Sequence, residues 1–437
     1  MTTQTRQVVI GRPRFGPLVG AGLVLIYAVL WFVYRPASGI DVSYLGEILG
    51  VEAIVFMAAW SMAMVTVLPG MEDAYGGLDR QLVWHRRTAI IGTLLMVAHQ
   101  QITFGGLRSG IGGNLSQVSF YGILALVAWA LLGPTTRAAR WRGPIGWLTR
   151  VRYDVWLPLH RILGLLLIAA MIHGLLQDRS LDRSTALRIS YLAVCALGVI
   201  TYLYRELLMR HFLPEFAHTV ELVERPAPSL LIVTLDPHRD QVRLIPGQYV
   251  YVHFGTEGWR PHPFTVAGTD ELHRLRLAIQ TTGDETIELH RTLQPGTPVR
   301  VFGPHGRFDY RRGGRRQVWI AAGVGVTPFQ SWIQSLDATF DREVEFFYTV
   351  ADPDTDPFAG DLVGATLDHP SVNLHLVASR REGRLTPGQV AAAVAAPHDD
   401  VWVYMCGPLQ MMRTFEQQLR QHGFRRRHIV WERFEIR

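Results

Sequence analysis

Apolar residues dominate the first half of the chain in runs of about twenty. Beyond residue 211 they fall into short alternating stretches. A membrane-spanning helix needs about 20 mostly apolar residues. Six segments meet that requirement: 16–34, 45–69, 84–104, 117–133, 155–176 and 187–206. The first is too long for a signal-peptide core, and no clear small-residue cleavage site follows it. From 214 to 308 the pattern changes to short strands between Gly/Pro turns: TVELVER, LLIVTLD, QYVYVHF, HPFTVAG, LRLAIQ and TPVRVFG. Such regular alternation predicts a small antiparallel barrel. VWIAAGVGVTPFQSWI follows, then EVEFFYTV, NLHLVAS and VWVYMCGP, with helical stretches between them. Strands alternating with helices predict a parallel, doubly wound sheet. The expected architecture is a membrane all-α six-helix bundle over 1–210, a soluble antiparallel β-barrel over 214–310, and an α/β parallel-sheet nucleotide-binding domain over 315–437.

Composition sharpens this division. The chain has 437 residues, of which 48% are hydrophobic and 18% charged, below the roughly 25% charged of soluble proteins. All 43 basic residues are Arg, so Lys Schiff-base chemistry and a Walker-type lysine are excluded. The net charge of +6 sits largely beside the apolar segments, so it marks membrane topology and no nucleic-acid partner is expected. Cys195 and Cys406 are too few and too far apart for a disulfide framework, a Cys-held zinc or an iron–sulfur cluster. Arginines cluster before the first span (Arg6, Arg12, Arg14), between the second and third (Arg80, Arg86, Arg87), and between the fourth and fifth (Arg137, Arg140, Arg142, Arg150, Arg152). The alternate loops carry fewer: Arg35, then Arg108, then Arg179, Arg183 and Arg188. By the positive-inside rule the N-terminus is cytoplasmic, and six crossings return the soluble half to the same side of a cell membrane.

Histidines are the informative polar residues of the helical half, because ionisable groups inside a membrane are rare and functional by default. His85 and His99 lie on the third span, His160 and His173 on the fifth. Both spans start on the cytoplasmic side, so His85 and His160 share one depth and His99 and His173 another. At 1.5 Å rise per residue the separations are about 21 and 19.5 Å. Two cross-helix pairs at that spacing suit two six-coordinate b-type haems, one near each face. Thirteen residues leave His160 and His173 about 140° apart on a regular helix. Either the helix tightens, near Gly164, or the ligands approach from different angles. Arg86, Arg87 and Arg161 beside the inner pair, and Arg108 and Arg179 beside the outer one, are candidate propionate partners.

In the soluble half, Gly323-x-Gly325-x-x-Pro328 joins a predicted strand to a helix, where glycines let the backbone approach a pyrophosphate. Pro stands where the usual fingerprint has its third Gly. The order of barrel, HPFT, GDxT, GxGxxP, CGP and terminal aromatic resembles the ferredoxin–NADP reductase superfamily. Joined to six helices with paired His, nearly the whole chain resembles the NADPH oxidase and ferric reductase family of transmembrane flavocytochromes.

That resemblance implies roles position by position. His262, Pro263, Phe264 and Thr265 would contact the flavin of FAD, and Gly283, Asp284 and Thr286 would hold its diphosphate. Gly323, Gly325, Thr327 and Pro328 would form the nicotinamide-dinucleotide loop, with Cys406, Gly407 and Pro408 near the nicotinamide. Phe434 would cover the flavin. Ser379, Arg380, Arg381 and Arg384 match a region that meets a 2′-phosphate, favouring NADPH with NADH left open. Leu166 stands where some relatives place an aromatic between the haems. The implied path runs from cytoplasmic NAD(P)H through FAD, then the His85/His160 haem and the His99/His173 haem, to an acceptor on the outer face. Dioxygen, giving superoxide, is the first choice and a ferric or cupric chelate the alternative; quinone or a partner protein is a further one. A haem-free membrane scaffold tethering a soluble-type flavin reductase is the alternative of another class. No calcium loop or SH3-like segment is seen, so no regulatory subunit is implied.

Overall fold

A computed structural model of the protein describes residues 15–65, 71–75, 78–103, 110–132, 153–208, 215–255 and 261–432. The chain divides into a helical unit spanning 12–212 and a β-rich unit from 213 onward.

The helical unit comprises α1 (Gly16–Val33), α2 (Val42–Ile54), α3 (Met71–Tyr75), α4 (Leu78–Thr103), α5 (Ile111–Leu132), α6 (Tyr153–Gln177), α7 (Arg179–Arg183) and α8 (Thr185–Leu203). Helix α2 continues as a π-helical segment, Val55–Met62, and a second such segment, Tyr204–Leu208, follows α8. Side-chain caps start the helices that follow short turns. Asp41 accepts from the Tyr44 N–H at 2.7 Å, and Asp178 from the N–H of Ser180 at 2.8 Å. Both satisfy orphan first-turn donors. Inside, buried tyrosines bond to main-chain carbonyls, Tyr191 to Met171 at 2.9 Å and Tyr27 to Ser190 at 2.6 Å. These bonds let phenols sit in an apolar interior at no desolvation loss. Among the described residues five helices are long and apolar enough to cross a membrane: Gly16–Val33, Val42–Met62, Ile111–Leu131, Val155–Gln177 and Thr185–Leu208. The 26-residue α4 is long enough, yet Asp79, Arg80, Arg86 and Arg87 in its first turns and Gln100 and Gln101 in its last dilute its apolar run.

One expectation is corrected. The helix carrying His160 and His173 contains no tightened turn at Gly164; α6 is α-helical without interruption from Tyr153 to Gln177, even across Pro158. Gly164 instead admits Tyr202, whose ring lies where a Cβ would be, within 2.2 Å.

The second unit opens with a closed barrel in the order β1-β2-β5-β4-β3-β6. Its strands are β1 (Glu215–Ala227), β2 (Leu230–Pro237), β3 (Tyr249–Phe254), β4 (His262–Thr269), β5 (Leu275–Gln280) and β6 (Pro298–His305), all antiparallel. Closure removes the unpaired edges that would otherwise template aggregation. Alternate residues point inward: Leu231, Val233 and Leu235 of β2 meet Val250 and Val252 of β3 and Leu277 and Ile279 of β5. Helix α9 (Asp284–Thr292) bridges β5 and β6.

A five-stranded parallel sheet follows in the order β11-β10-β7-β8-β9: β7 (Arg316–Ala322), β8 (Glu343–Val350), β9 (Val372–Ala378), β10 (Trp402–Cys406) and β11 (Ile429–Glu432). Helices α10 (Thr327–Gln334), α11 (Ala359–Leu367), α12 (Pro387–Ala393) and α13 (Leu409–Gln421) connect them. An aromatic cluster of Trp319, Phe329, Trp332, Phe346 and Tyr404 fills one face and takes in Phe308, which follows the barrel. Trp332 donates its indole N–H to the Pro246 carbonyl at 3.0 Å, which pins the barrel to this sheet's first helix.

That junction requires Gly247, which has φ +90° and whose Cβ would lie 2.2 Å from the Phe308 carbonyl oxygen and 2.3 Å from Trp332 Nε1. Gly247→Ala should therefore cost about 2 kcal/mol or more, read as a lower thermal midpoint for loss of bound flavin. Gly364→Ala on α11, where a Cβ meets nothing within 4 Å, should leave that midpoint unchanged or raised.

Candidate functional site

In the helical unit the four histidines meet as two pairs. The ring centroids of His85 and His160 are 6.2 Å apart at 79°, and those of His99 and His173 are 6.3 Å apart at 68°. Three of the rings are fixed by main-chain carbonyls. His85 Nδ1 lies 3.0 Å from the Ser61 carbonyl and 2.8 Å from the Ser61 hydroxyl, which donates to the His85 carbonyl; His99 Nδ1 lies 2.7 Å from the Gly46 carbonyl, and His173 Nδ1 3.0 Å from that of Gly112. A carbonyl only accepts, so each Nδ1 carries the proton and each Nε2 keeps its lone pair. His160 is held differently, by its ring stacking on Trp156 at 4.8 Å and 13°. Its buried Nδ1 has no partner among the described residues.

The two depths are separated by an apolar layer that includes Met96, Ile123, Val127, Leu163 and Leu166. Around His99 and His173 lies a cavity of about 280 Å3, lined also by Glu47, Gln100, Phe120 and Arg179 among others. Small residues create the approach. A Cβ on Gly50 would sit 2.9 Å from His99 Nδ1, and one on Gly112 2.8 Å from Gln177 Nε2. The candidate propionate partners are partly engaged elsewhere. Arg161 lies 3.5 Å from Glu206, and the Arg87 guanidinium lies 5.4 Å over the Trp84 ring. Arg86 is exposed, and Arg108 lies outside the described residues. Beside this cavity Glu47 accepts from the Arg179 N–H at 3.3 Å and from the Ser180 hydroxyl.

In the barrel, His262, Pro263, Phe264 and Thr265 form the first half of β4, paired to Val252, Tyr251, Val250 and Tyr249 of β3. Thr265 is buried, and its hydroxyl has no partner among the described residues. The ring of His262 abuts the Glu285 carboxylate. This contact draws the HPFT strand to the TTGDET loop. In that loop Thr286 Oγ1 accepts from the N–H groups of Thr282 and Gly283, both at 3.1 Å, and donates to the Gly283 carbonyl at 3.0 Å. Gly283 thereby caps α9, placing Asp284 in its first turn.

In the parallel sheet, Gly323–Val326 makes a single 3₁₀ turn between β7 and α10, with Thr327 and Pro328 opening that helix. The Thr327 hydroxyl closes the turn on the Val324 carbonyl at 3.1 Å. Gly323 has φ +53°, and a Cβ on Gly325 would stand 2.4 Å from the Cys406 carbonyl oxygen and 2.8 Å from Gly407 N. The structure therefore presses the GxGxxP turn against the Cys406-Gly407-Pro408 segment, as neighbouring β7 and β10 end together. At the ends of β8 and β9, Ser379 N–H donates to the Val350 carbonyl at 2.8 Å and Arg380 N–H to that of Ala351 at 3.2 Å. The Arg380 and Arg384 side chains are exposed. Arg381 is taken by Asp352 at 2.7 Å and Asp354 at 2.5 Å, contacts that raise its pKa above the ordinary guanidinium value. Burial and the Asp356 carboxylate push the Tyr348 phenol up, keeping it a donor to Asp356 at 2.9 Å. Phe434 lies outside the described residues.

Sequence reasoning missed several of these groups. Trp156 stands four residues before His160, a helical spacing that would have flagged the stack. Glu285 sits within the very loop motif singled out, and Asp352 and Asp354 directly follow a strand end. The carbonyls of Gly46, Ser61 and Gly112 left no side-chain signal.

Two family models match the second unit. A FAD-binding domain matches residues 219–314 and an oxidoreductase NAD-binding domain residues 319–417. The flavohemoprotein of Chromobacterium violaceum is 27% identical over 215 residues, 43% of this chain and 52% of that protein. The glycine betaine monooxygenase reductase subunit of Chromohalobacter salexigens is 26% identical over 208 residues, 43% of this chain and 55% of that protein. The chain thus spans about half the length of these curated relatives. A flavohemoglobin structure from Malassezia yamatoensis with bound FAD and heme shares 17% identity at a TM-score of 0.50, covering 97% of this chain and 99% of that one. At that identity the likeness is one of fold. The second unit is a FAD- and NAD(P)H-binding oxidoreductase module. Gly325→Ala should leave flavin content intact while displacing the Cys406-Gly407-Pro408 segment. Flavin reduction by NAD(P)H should then slow about 100-fold, measurable by anaerobic stopped-flow absorbance.

Proposed function

We propose that the protein is a transmembrane flavocytochrome. It takes electrons from cytoplasmic NAD(P)H and delivers them to an acceptor on the opposite face of the cell membrane, dioxygen in our reading. Two b-type haems would be held by His85 with His160 and by His99 with His173. The observation that carries this is the geometry of the imidazole pairs. An imidazole nitrogen sits about 2 Å from a bound metal and its ring centre about 1.2 Å further, so two imidazoles holding one metal between them would have centres about 6.4 Å apart. The observed separations are 6.2 and 6.3 Å. In three of the four rings the carbonyl bond fixes the tautomer that offers Nε2, the usual arrangement around a ligating histidine.

Membrane placement rests on the apolar helices and their outward faces. Leu18 is 71% exposed, and Leu25, Ile189 and Ile200 are each 63% exposed on α1 and α8. Exposed apolar surface of this kind marks a membrane or partner contact. The arginine bias of the loops puts the N-terminus and the reductase module on the cytoplasmic side.

Bound FAD and haem would supply the conversion of a hydride's electron pair into single electrons carried across about 30 Å of hydrocarbon. The residues around them bind and orient. Gly323, Gly325 and Gly407 keep the dinucleotide loop free of side chains. Thr265 presents its unpartnered hydroxyl at the flavin strand, and Thr286 holds the diphosphate loop in shape. No side chain needs to move a proton during hydride transfer. Overall, one NAD(P)H and two dioxygen molecules give NAD(P)+, two superoxide ions and one proton.

Purified protein should contain two low-spin haems per flavin, and NAD(P)H should reduce both. His99→Ala should lower the ratio to one haem per flavin while flavin reduction by NAD(P)H continues. A preparation with flavin but no haem would overturn this reading and leave a membrane-anchored flavin reductase. At equal haem content, dismutase-sensitive superoxide production against ferric-chelate reduction decides the acceptor.

A further inference from the structure

The ends of β8 and β9 carry a charge arrangement that bears on which dinucleotide the module takes. In a doubly wound sheet the ligand lies beyond the carboxyl ends of the strands. An acidic residue at the end of the strand after the glycine turn accepts from the ribose 2′-hydroxyl of NAD, whereas a 2′-phosphate needs cationic partners. Here β7 leads into the glycine turn, and Ala322 at its end is in register with Thr349 of β8. Asp352 follows three residues later, so it stands at the neighbouring strand end, with a side chain only 25% exposed.

Three carboxylates leave β8, and they are not equivalent. Asp356 is consumed by the fold, accepting from the Tyr348 hydroxyl at 2.9 Å and from the N–H groups of Phe358 and Ala359, both at 3.0 Å. Asp352 and Asp354 face the segment after β9 and together hold Arg381, at 2.7 and 2.5 Å. The loop geometry fixes this contact, since Arg381 N–H bonds to the Ala378 carbonyl at 2.9 Å and Asp354 N–H to the Asp352 carboxylate at 3.3 Å. Arg381, one of the three arginines matching a phosphate-binding position, is therefore already neutralised, while Arg380 and Arg384 stay exposed. Asp352, Asp354 and Glu382 balance Arg380, Arg381 and Arg384, leaving no surplus positive charge for a dianionic phosphate.

The geometry points to NADH as the preferred donor, with Asp352 accepting from the ribose 2′-hydroxyl and Arg381 holding the acidic pair in place. A 2′-phosphate would confront both carboxylates and could reach Arg381 only by breaking its two ion pairs. This inference rests on the dinucleotide-site reading above and names its substrate.

The test is anaerobic stopped-flow reduction of the flavin in the full-length protein, titrated with NADH and with NADPH. NADH should be favoured by at least about tenfold in the apparent second-order rate constant. Asp352→Asn, at unchanged flavin content, should shrink that ratio by slowing NADH and speeding NADPH. Arg381→Ala should leave the ratio in favour of NADH. A wild-type protein that prefers NADPH, or an Arg381→Ala variant that selectively loses NADPH, would overturn the inference and make Arg381 a phosphate ligand. A flavin that neither dinucleotide reduces would overturn the donor reading itself, and this assignment with it.

Discussion

Each half of the protein depends on main-chain groups deciding what a side chain can do, and the plainest case is the bond from an imidazole Nδ1–H to a backbone carbonyl. Gly46, Ser61 and Gly112 each offer such a carbonyl to a histidine of the facing helix. The bond selects one tautomer, orients the ring, and leaves the other nitrogen as a lone-pair donor in a water-poor interior. Two of the three carbonyls belong to glycines, where helices come close enough for the contact. The bundle's small residues and its histidines are parts of one device.

The same logic operates in the second unit at Gly247 and Gly325. At Gly247 the barrel meets the aromatic cluster of the parallel sheet, and at Gly325 the GxGxxP turn meets the Cys406–Gly407 segment. Neither approach tolerates a side chain, because interiors are close-packed and a methyl group has nowhere to go. The barrel supplies a closed, rigid face for the HPFT strand. The sheet supplies strand ends that converge on one edge, so residues more than 80 apart in sequence, Gly325 and Cys406, share a site.

Charge is arranged with comparable economy. At the edge of the sheet one guanidinium, Arg381, holds the two carboxylates of Asp352 and Asp354, while Arg380 and Arg384 stay exposed. In the helical unit Glu52 is buried midway along the apolar Val42–Met62 segment, and an apolar layer with Leu166 separates the two histidine depths.

The sequence by itself determined the division into an apolar helical half and a strand-rich half, because spanning length and strand alternation are local properties of residue order. It also placed six barrel strands and the strands from β7 to β10, since each has period-two burial or a continuous apolar run. The GxGxxP turn was legible for the same reason. Span order and depth already set His85 beside His160 and His99 beside His173 as an expectation; the ring distances and angles came only from the tertiary structure. Angular bookkeeping along α6 suggested a tightened turn at Gly164, yet the helix is regular and the rings instead meet edge to face. The carbonyl partners, the stack of Trp156 on His160, the Glu285 contact with His262 and the hold of Asp352 and Asp354 on Arg381 were hidden from the sequence. Each joins groups whose proximity is set by how strands and helices are arranged in space. Linear order shows that an arginine is present; only the fold shows that its charge is already spent.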